Sequence, residues 1–157
     1  MNLLECIVTF AISATIACLA FFYWDNLLAS YAVNQDAQLL AKTFKSTQIR
    51  AMTSHQTTRI CGDENCIQPL NTHIVIIPDV GDAYHTTLSG KTHLITRAFP
   101  ANKSNQFIFT PQGMTDFQNA SIYVCSNTSP IAKQLRINQA GRVVVAEISH
   151  CPIAQKQ

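Results

Sequence analysis

Charge is scarce in this chain. Only 13% of its 157 residues are charged, where a soluble domain ordinarily has about a quarter. Uncharged polar side chains fill the deficit: Thr, Ser, Asn and Gln together occupy 47 positions. That mixture argues against a cytosolic enzyme surface and against a disordered tail, which would be richer in charge and Pro. Glycine and proline are also few, at five and six, which excludes collagen-like and low-complexity structure. A net charge of +2 is too small to point to nucleic acid by itself. Catalytic signatures are missing as well. There is no GxSxG, HExxH, P-loop or GxGxxG pattern. His55, His73, His85, His93 and His150 are dispersed, without the spacing of a metal or catalytic cluster. Asp79-Val-Gly-Asp82 lacks the further oxygen ligands of a calcium loop and reads as a turn. No enzyme activity, metal or cofactor is expected.

What the chain does contain is unevenly placed. Between Glu5 and Asp25 lie 19 uncharged residues, CIVTFAISATIACLAFFYW, close to the roughly 20 that cross a bilayer core as a helix. The run ends in Phe21-Phe22-Tyr23-Trp24, an aromatic group suited to the headgroup interface. A cleaved signal peptide fits poorly, because no Lys or Arg precedes the run and no small-x-small site precedes Tyr23. Residues 1–25 are therefore expected to be a retained membrane segment. Glu5 stands at its edge, where an ionised carboxylate is costly and usually has a partner. Subunit packing is the natural source of that partner.

The helical signal continues past Trp24. Leu27, Leu28, Tyr31, Ala32, Leu39, Leu40 and Phe44 stripe one face and extend to Ile49, Ala51 and Met52, with Asp36, Lys42 and Lys45 off it. No Gly or Pro occurs before Gly62, so one helix is expected to run to about Ser54, on the order of 80 Å. A domain of this size cannot bury such a rod. From Thr57 the pattern changes to strands: TTRIC, THIVIIP, THLITRAF, NQFIFT, ASIYVC, KQLRI and RVVVAEI. Gly141 sits at the turn of a hairpin joining Leu135-Arg136-Ile137 to Val143-Val144-Val145. The expected fold class is α+β: a long N-terminal helix, its first half transmembrane and its second half packed on an antiparallel sheet. Residues 26–157 form that head.

Cys6 and Cys18 fall in the apolar run, as small apolar residues. The remaining four suggest an oxidising compartment. Cys61 and Cys66 close a short loop after one strand, and Cys125 with Cys151 would staple the tail to the sheet. Loop entropy puts these links at about 2 and about 3.5 kcal/mol. The spacing lacks the paired CxxC that zinc prefers. Asn102, Asn119 and Asn127 each start a glycan acceptor triplet, a common coincidence in an Asn/Ser/Thr-rich chain.

The opening MNLLECIVTFAISATIACLA resembles the mature N-terminus of a type IV pilin. LLAKTFKSTQIRAMTSHQTTRIC, FTPQGMTDFQNASIYVC and LRINQAGRVVV are similar to the GspH/FimT branch of minor pilins and pseudopilins. This resemblance implies that Glu5 is the assembly carboxylate. It also implies that Met1, freed of a basic leader by prepilin peptidase, carries the N-methylated amine. Two departures stand out. Many major pilins have a helix-breaking Pro near Phe22 and a Gly at Ala14; their absence suits a minor component. DNA-binding FimT members carry several Arg after the tail glycine, whereas here Gly141-Arg142 leads into Val143. Arg136 and Arg142 are the weak DNA-contact candidates, opposed by Glu147, and the other basic residues are scattered.

The resemblance implies a minor pilin that helps initiate a type IV pilus, placed just beneath its tip. Other minor pilins, the major pilin and an inner-membrane assembly platform would be its partners. The chain would begin in the bacterial inner membrane with a periplasmic head, then pass to the cell surface. Two alternatives share the fold: a GspH-like pseudopilin of a type II secretion system and a FimT-like DNA receptor. Nucleic acid is not an expected partner.

Overall fold

The computed structural model of the chain describes residues 3–99 and 105–152. Helix α1 (Leu3–Ser54) is unbroken over 52 residues, about 80 Å at 1.5 Å per residue. Its end is a Schellman-type cap. His55 takes the left-handed conformation at φ 54°, and the Gln56 N–H donates to the Ala51 carbonyl at 3.2 Å.

Burial along the helix switches on at Ala29. From there Ala29, Val33, Ala37, Leu40, Phe44, Thr47 and Ala51 are buried at three- and four-residue steps, one face of the helix. The expected stripe needs correcting. Leu27, Leu28, Tyr31, Ile49 and Met52 are exposed, while Asp36, expected off the stripe, is 2% exposed and faces the head. Small residues at positions 29, 32, 37 and 51 set the buried face, because they let the sheets approach the helix closely. The expected stripe includes Ala32 and Ala51 but not Ala29 and Ala37, since hydrophobic periodicity weighs large side chains more.

Eight strands follow: β1 (Thr58–Cys61), β2 (His73–Pro78), β3 (Tyr84–Thr87), β4 (Thr92–Phe99), β5 (Gln106–Phe109), β6 (Asn119–Ser126), β7 (Ala132–Ile137) and β8 (Val143–Ile148). They form two four-stranded antiparallel sheets, ordered β3-β2-β1-β5 and β4-β6-β7-β8. Seven strands coincide with the apolar runs. The eighth, β3, reads Tyr-His-Thr-Thr and lies mostly exposed, so it offers no buried alternation. It is held by β2 and by Arg50 of α1, whose guanidinium donates to the Tyr84 hydroxyl and stacks 4.0 Å from its ring centre.

At the outer edge of β5 an amide side chain takes the place of a strand. Gln118 is fully buried. Its Nε2–H donates to the Gln106 carbonyl at 3.0 Å and its Oε1 accepts the Ile108 N–H at 3.2 Å. The outer edge of β5 is thereby satisfied in the interior, where an unpaired amide is costly. Both sheets and α1 share one core. Phe44 projects from the helix and meets Phe107 and Phe109 edge-on, with ring centres 5.4 and 6.2 Å away.

Asp36 fastens the helix to the second sheet. Its carboxylate accepts the Ser89 N–H at 3.1 Å, the Ser89 hydroxyl at 2.6 Å and the Thr92 hydroxyl at 2.6 Å. These donors come from the turn entering β4, which explains how a carboxylate is tolerated in the core.

Candidate assembly interface

No side chain described between Glu5 and Leu28 is buried. Ile7, Phe10, Ile12, Ile16, Leu19, Tyr23 and Trp24 are large apolar groups open on all sides of the rod. A soluble protein does not leave a surface of this kind uncovered; α1 is long and apolar enough to cross a membrane. The polar side chains of this half turn inward. The Thr9 hydroxyl donates to the Glu5 and Cys6 carbonyls at 2.9 and 3.0 Å, Ser13 to Thr9 at 2.8 Å, and Thr15 to Ile12 at 2.8 Å. Each hydroxyl is satisfied by its own helix, as hydrocarbon requires. Glu5 is the only formally charged side chain from Leu3 to Trp24. Met1, the other expected assembly residue, lies outside the described residues.

Where α1 enters the head, a groove of about 620 Å³ opens between the helix and β8. Trp24, Leu27, Leu28 and Tyr31 form its apolar wall and Lys133 and Glu147 its polar one. Lys133 donates to Asn34 Oδ1 at 2.7 Å and stands 3.5 Å from Glu147.

At the other end, Gln48 joins the helix to two tight turns. Its Nε2 donates to the Gly113 carbonyl at 2.7 Å and to the Ala140 carbonyl at 3.3 Å. Gly141 closes the β7–β8 hairpin at φ 75° and leaves no room for a side chain. A Cβ there would lie 2.4 Å from the Gly113 carbonyl oxygen and 2.3 Å from Gln48 Nε2. Gly113, at φ 77°, is pressed against Met52 in the same way. The three segments that carry the branch resemblance thus meet at one point: the helix around Gln48, the Thr110–Met114 turn and the Asn138–Arg142 turn.

Residues 36–141 match the family model described as Type II transport protein GspH. The chain belongs to the GspH family. No curated protein matches it. Among solved structures, the GspH-family head is similar to the type IV minor pilin FimU of Pseudomonas aeruginosa in two crystal forms. One is 15% identical with a TM-score of 0.60, covering 78% of this chain and 93% of that one. The other is 16% identical at 0.57, covering 77% and 98%. The minor pseudopilin EpsH of the Vibrio cholerae Type 2 Secretion System is 12% identical at 0.52, covering 73% and 96%. At such identities the likeness is one of fold. With the family, it gives a type IV pilin-like architecture with an apolar anchoring helix.

In this GspH-family head the four extramembrane cysteines are joined as Cys61–Cys66 and Cys125–Cys151, with Cα separations of 5.0 and 5.7 Å. Asp63 Oδ1 shapes the first loop by accepting the Ile67 and Gln68 N–H groups at 2.8 and 3.1 Å. Cys6 and Cys18 are free thiols on the exposed half of α1.

The basic residues are less scattered than the sequence suggests. Lys42, Lys45 and Arg142 line one groove of about 530 Å³ with Gln48, Ala140 and Val143, and no carboxylate is among the lining residues. Lys42 and Lys45 escaped notice because helix residues and a hairpin residue a hundred positions on share no local pattern. Arg97 and Arg136 flank Ser121 in adjacent strands, on the outer face of the second sheet. Glu147 does not oppose Arg136 or Arg142: it stands across from Lys133 in register, on the face turned to the helix.

Proposed function

We propose that the chain is a minor subunit of a type IV pilus, placed near the tip, where it helps initiate assembly. The observation that carries this reading is the uncharged run from Cys6 to Trp24 in α1, whose described side chains are all exposed, with Glu5 at its N-terminal edge. On this reading residues 1–25 hold the subunit in the bacterial inner membrane and residues 26–157 form its periplasmic head. Assembly then exchanges lipid for neighbouring helices, so apolar area stays covered throughout. Glu5 pairs with the N-methylated α-amino group of Met1 on a neighbour. Opposite charges about 4 Å apart attract by about 4 kcal/mol at intermediate dielectric, before desolvation is subtracted. The pair therefore acts chiefly as a register device. Other minor pilins, the major pilin and the assembly platform are the partners, and nucleic acid has no part in this mechanism. Cys61–Cys66 and Cys125–Cys151 keep the head intact outside the cytoplasm.

The test is Glu5→Ala in cells. The variant should reach the membrane in normal amounts, while its content in sheared filaments falls. Normal incorporation with normal piliation would refute the assembly role. Co-purification of the detergent-solubilised chain separates a second reading, a type II secretion pseudopilin, which the family description and the EpsH likeness support. Pilins in the eluate favour the pilus; secretion pseudopilins favour the alternative.

A further inference from the structure

The outer face of the second sheet carries a group that neither the fold nor the assembly reading uses. His93 in β4 stands directly opposite Cys125 in β6. Its Nε2 lies 3.9 Å from Cys151 Sγ, and one ligand atom from each of His93, Cys125 and Cys151 falls within 4.8 Å of the others. Both sulfurs are joined in the tail disulfide, so the question is what the histidine does when they are not.

Its tautomer is set by the residues behind it. The His93 Nδ1 is 2.8 Å from Asn127 Oδ1. Asn127 cannot present its amide nitrogen there, because that nitrogen donates to the Gly90 carbonyl at 3.2 Å. The Asn127 N–H also donates to the Lys91 carbonyl at 3.1 Å, holding the backbone in place. Oδ1 is an acceptor only, so Nδ1 carries the proton and Nε2 turns a lone pair toward Cys151. The two sulfurs are unequal. Cys125 is fully buried, whereas Cys151 is partly exposed.

We propose that His93 is a general base for closing the tail disulfide. In the reduced chain its Nε2 takes the Cys151 thiol proton, leaving a thiolate at the one sulfur of the pair that an external disulfide can reach. The Cys151 thiolate attacks a disulfide R–S–S–R and breaks its S–S bond. The departing R–S⁻ takes the proton from the His93 imidazolium, leaving a mixed disulfide at Cys151. Cys125 then attacks Cys151 Sγ and expels the second R–S⁻, which takes the Cys125 proton. Two cysteine thiols and R–S–S–R become one disulfide and two R–SH, and the cysteine pair is oxidised by two electrons. Thiolate rather than thiol is the nucleophile in such exchange. Among the described residues, the other titratable groups near the site are Lys91 at the entry to β4, Tyr123 two residues before Cys125 on the same face, and His150 beside Cys151; none of these is a carboxylate. Because β4–β6 pairing assembles the base, oxidation at Cys151 is favoured in chains that have already made the native sheet.

The test uses the full-length chain in detergent, reduced with dithiothreitol and kept in a metal chelator. Iodoacetamide labelling of Cys151 is followed by peptide mass spectrometry across neutral pH. A free thiol titrates at about 8.5 and imidazole at about 6.5. Near pH about 6.5, Cys151 in the native chain should label about tenfold faster than in His93→Gln. Asn127→Ala, which frees the tautomer, should fall between the two. In guanidinium all three should coincide. Matching native profiles for wild type and His93→Gln would overturn the proposal. So would wild-type labelling no faster in native buffer than in denaturant.

Discussion

Residues 5–28 and 29–51 of α1 share one backbone geometry, yet no described side chain in the first, more apolar set is buried and one face of the second is closed over by two sheets. The first half carries large apolar groups all round, whereas the second places alanines where strands must approach. The second set is matched to a partner inside the chain: Phe44 to Phe107 and Phe109, Asp36 to Ser89 and Thr92, Gln48 to two glycine turns. The first set has no buried side chain, and on the proposed reading its surface is covered by lipid and then by other helices. Burying one large apolar side chain is worth about 1.5–3 kcal/mol, and in the first half this is realised only outside the monomer. The difference teaches that one helix can hold two kinds of stability, one intramolecular and one deferred to association.

Three substitutions in the second half and its attachments should destabilise the head, and one in the first half should not. Phe44→Ala empties the centre of the core and should cost about 3–5 kcal/mol in urea unfolding of the detergent-solubilised chain. Asp36→Ala strands three donors from Ser89 and Thr92 and should cost about 3 kcal/mol in the same titration. Gly141→Ala demands an unfavourable φ and pushes against the Gly113 carbonyl. Its cost should be about 2 kcal/mol, and amide exchange in the β7–β8 hairpin should rise first. Phe10→Ala, at a residue 79% exposed, should shift head stability by less than about 0.5 kcal/mol. A loss there comparable with Phe44→Ala would mean the two halves are one cooperative unit.

Local patterning made much of this fold legible. Seven strands alternate or run apolar, and the helix has no breaker before Gly62. β3 was illegible because a four-residue exposed strand carries no apolar period. The burial of Asp36 gives no local signal, because its partners lie 53 and 56 residues away. Gln48 gives no local signal either, since its acceptors are backbone carbonyls 65 and 92 residues on. Glu5 is a candidate assembly residue on the sequence alone, as an isolated charge at the edge of an apolar run. The groove of Lys42, Lys45 and Arg142 is not legible there, because it joins a helix face to a hairpin turn.

The hydroxyls of Thr9, Ser13 and Thr15 are consumed by carbonyls of their own helix. A neighbouring helix sliding along this rod therefore meets no unsatisfied hydroxyl from residue 6 to residue 20. Apolar contacts alone tolerate a shift of one turn, about 5.4 Å, with modest loss. Nearly all axial information in this segment is concentrated in a single carboxylate at its end. On the proposed reading such a scale has one graduation: helices glide freely while they search, and stop only where Glu5 finds its counter-charge.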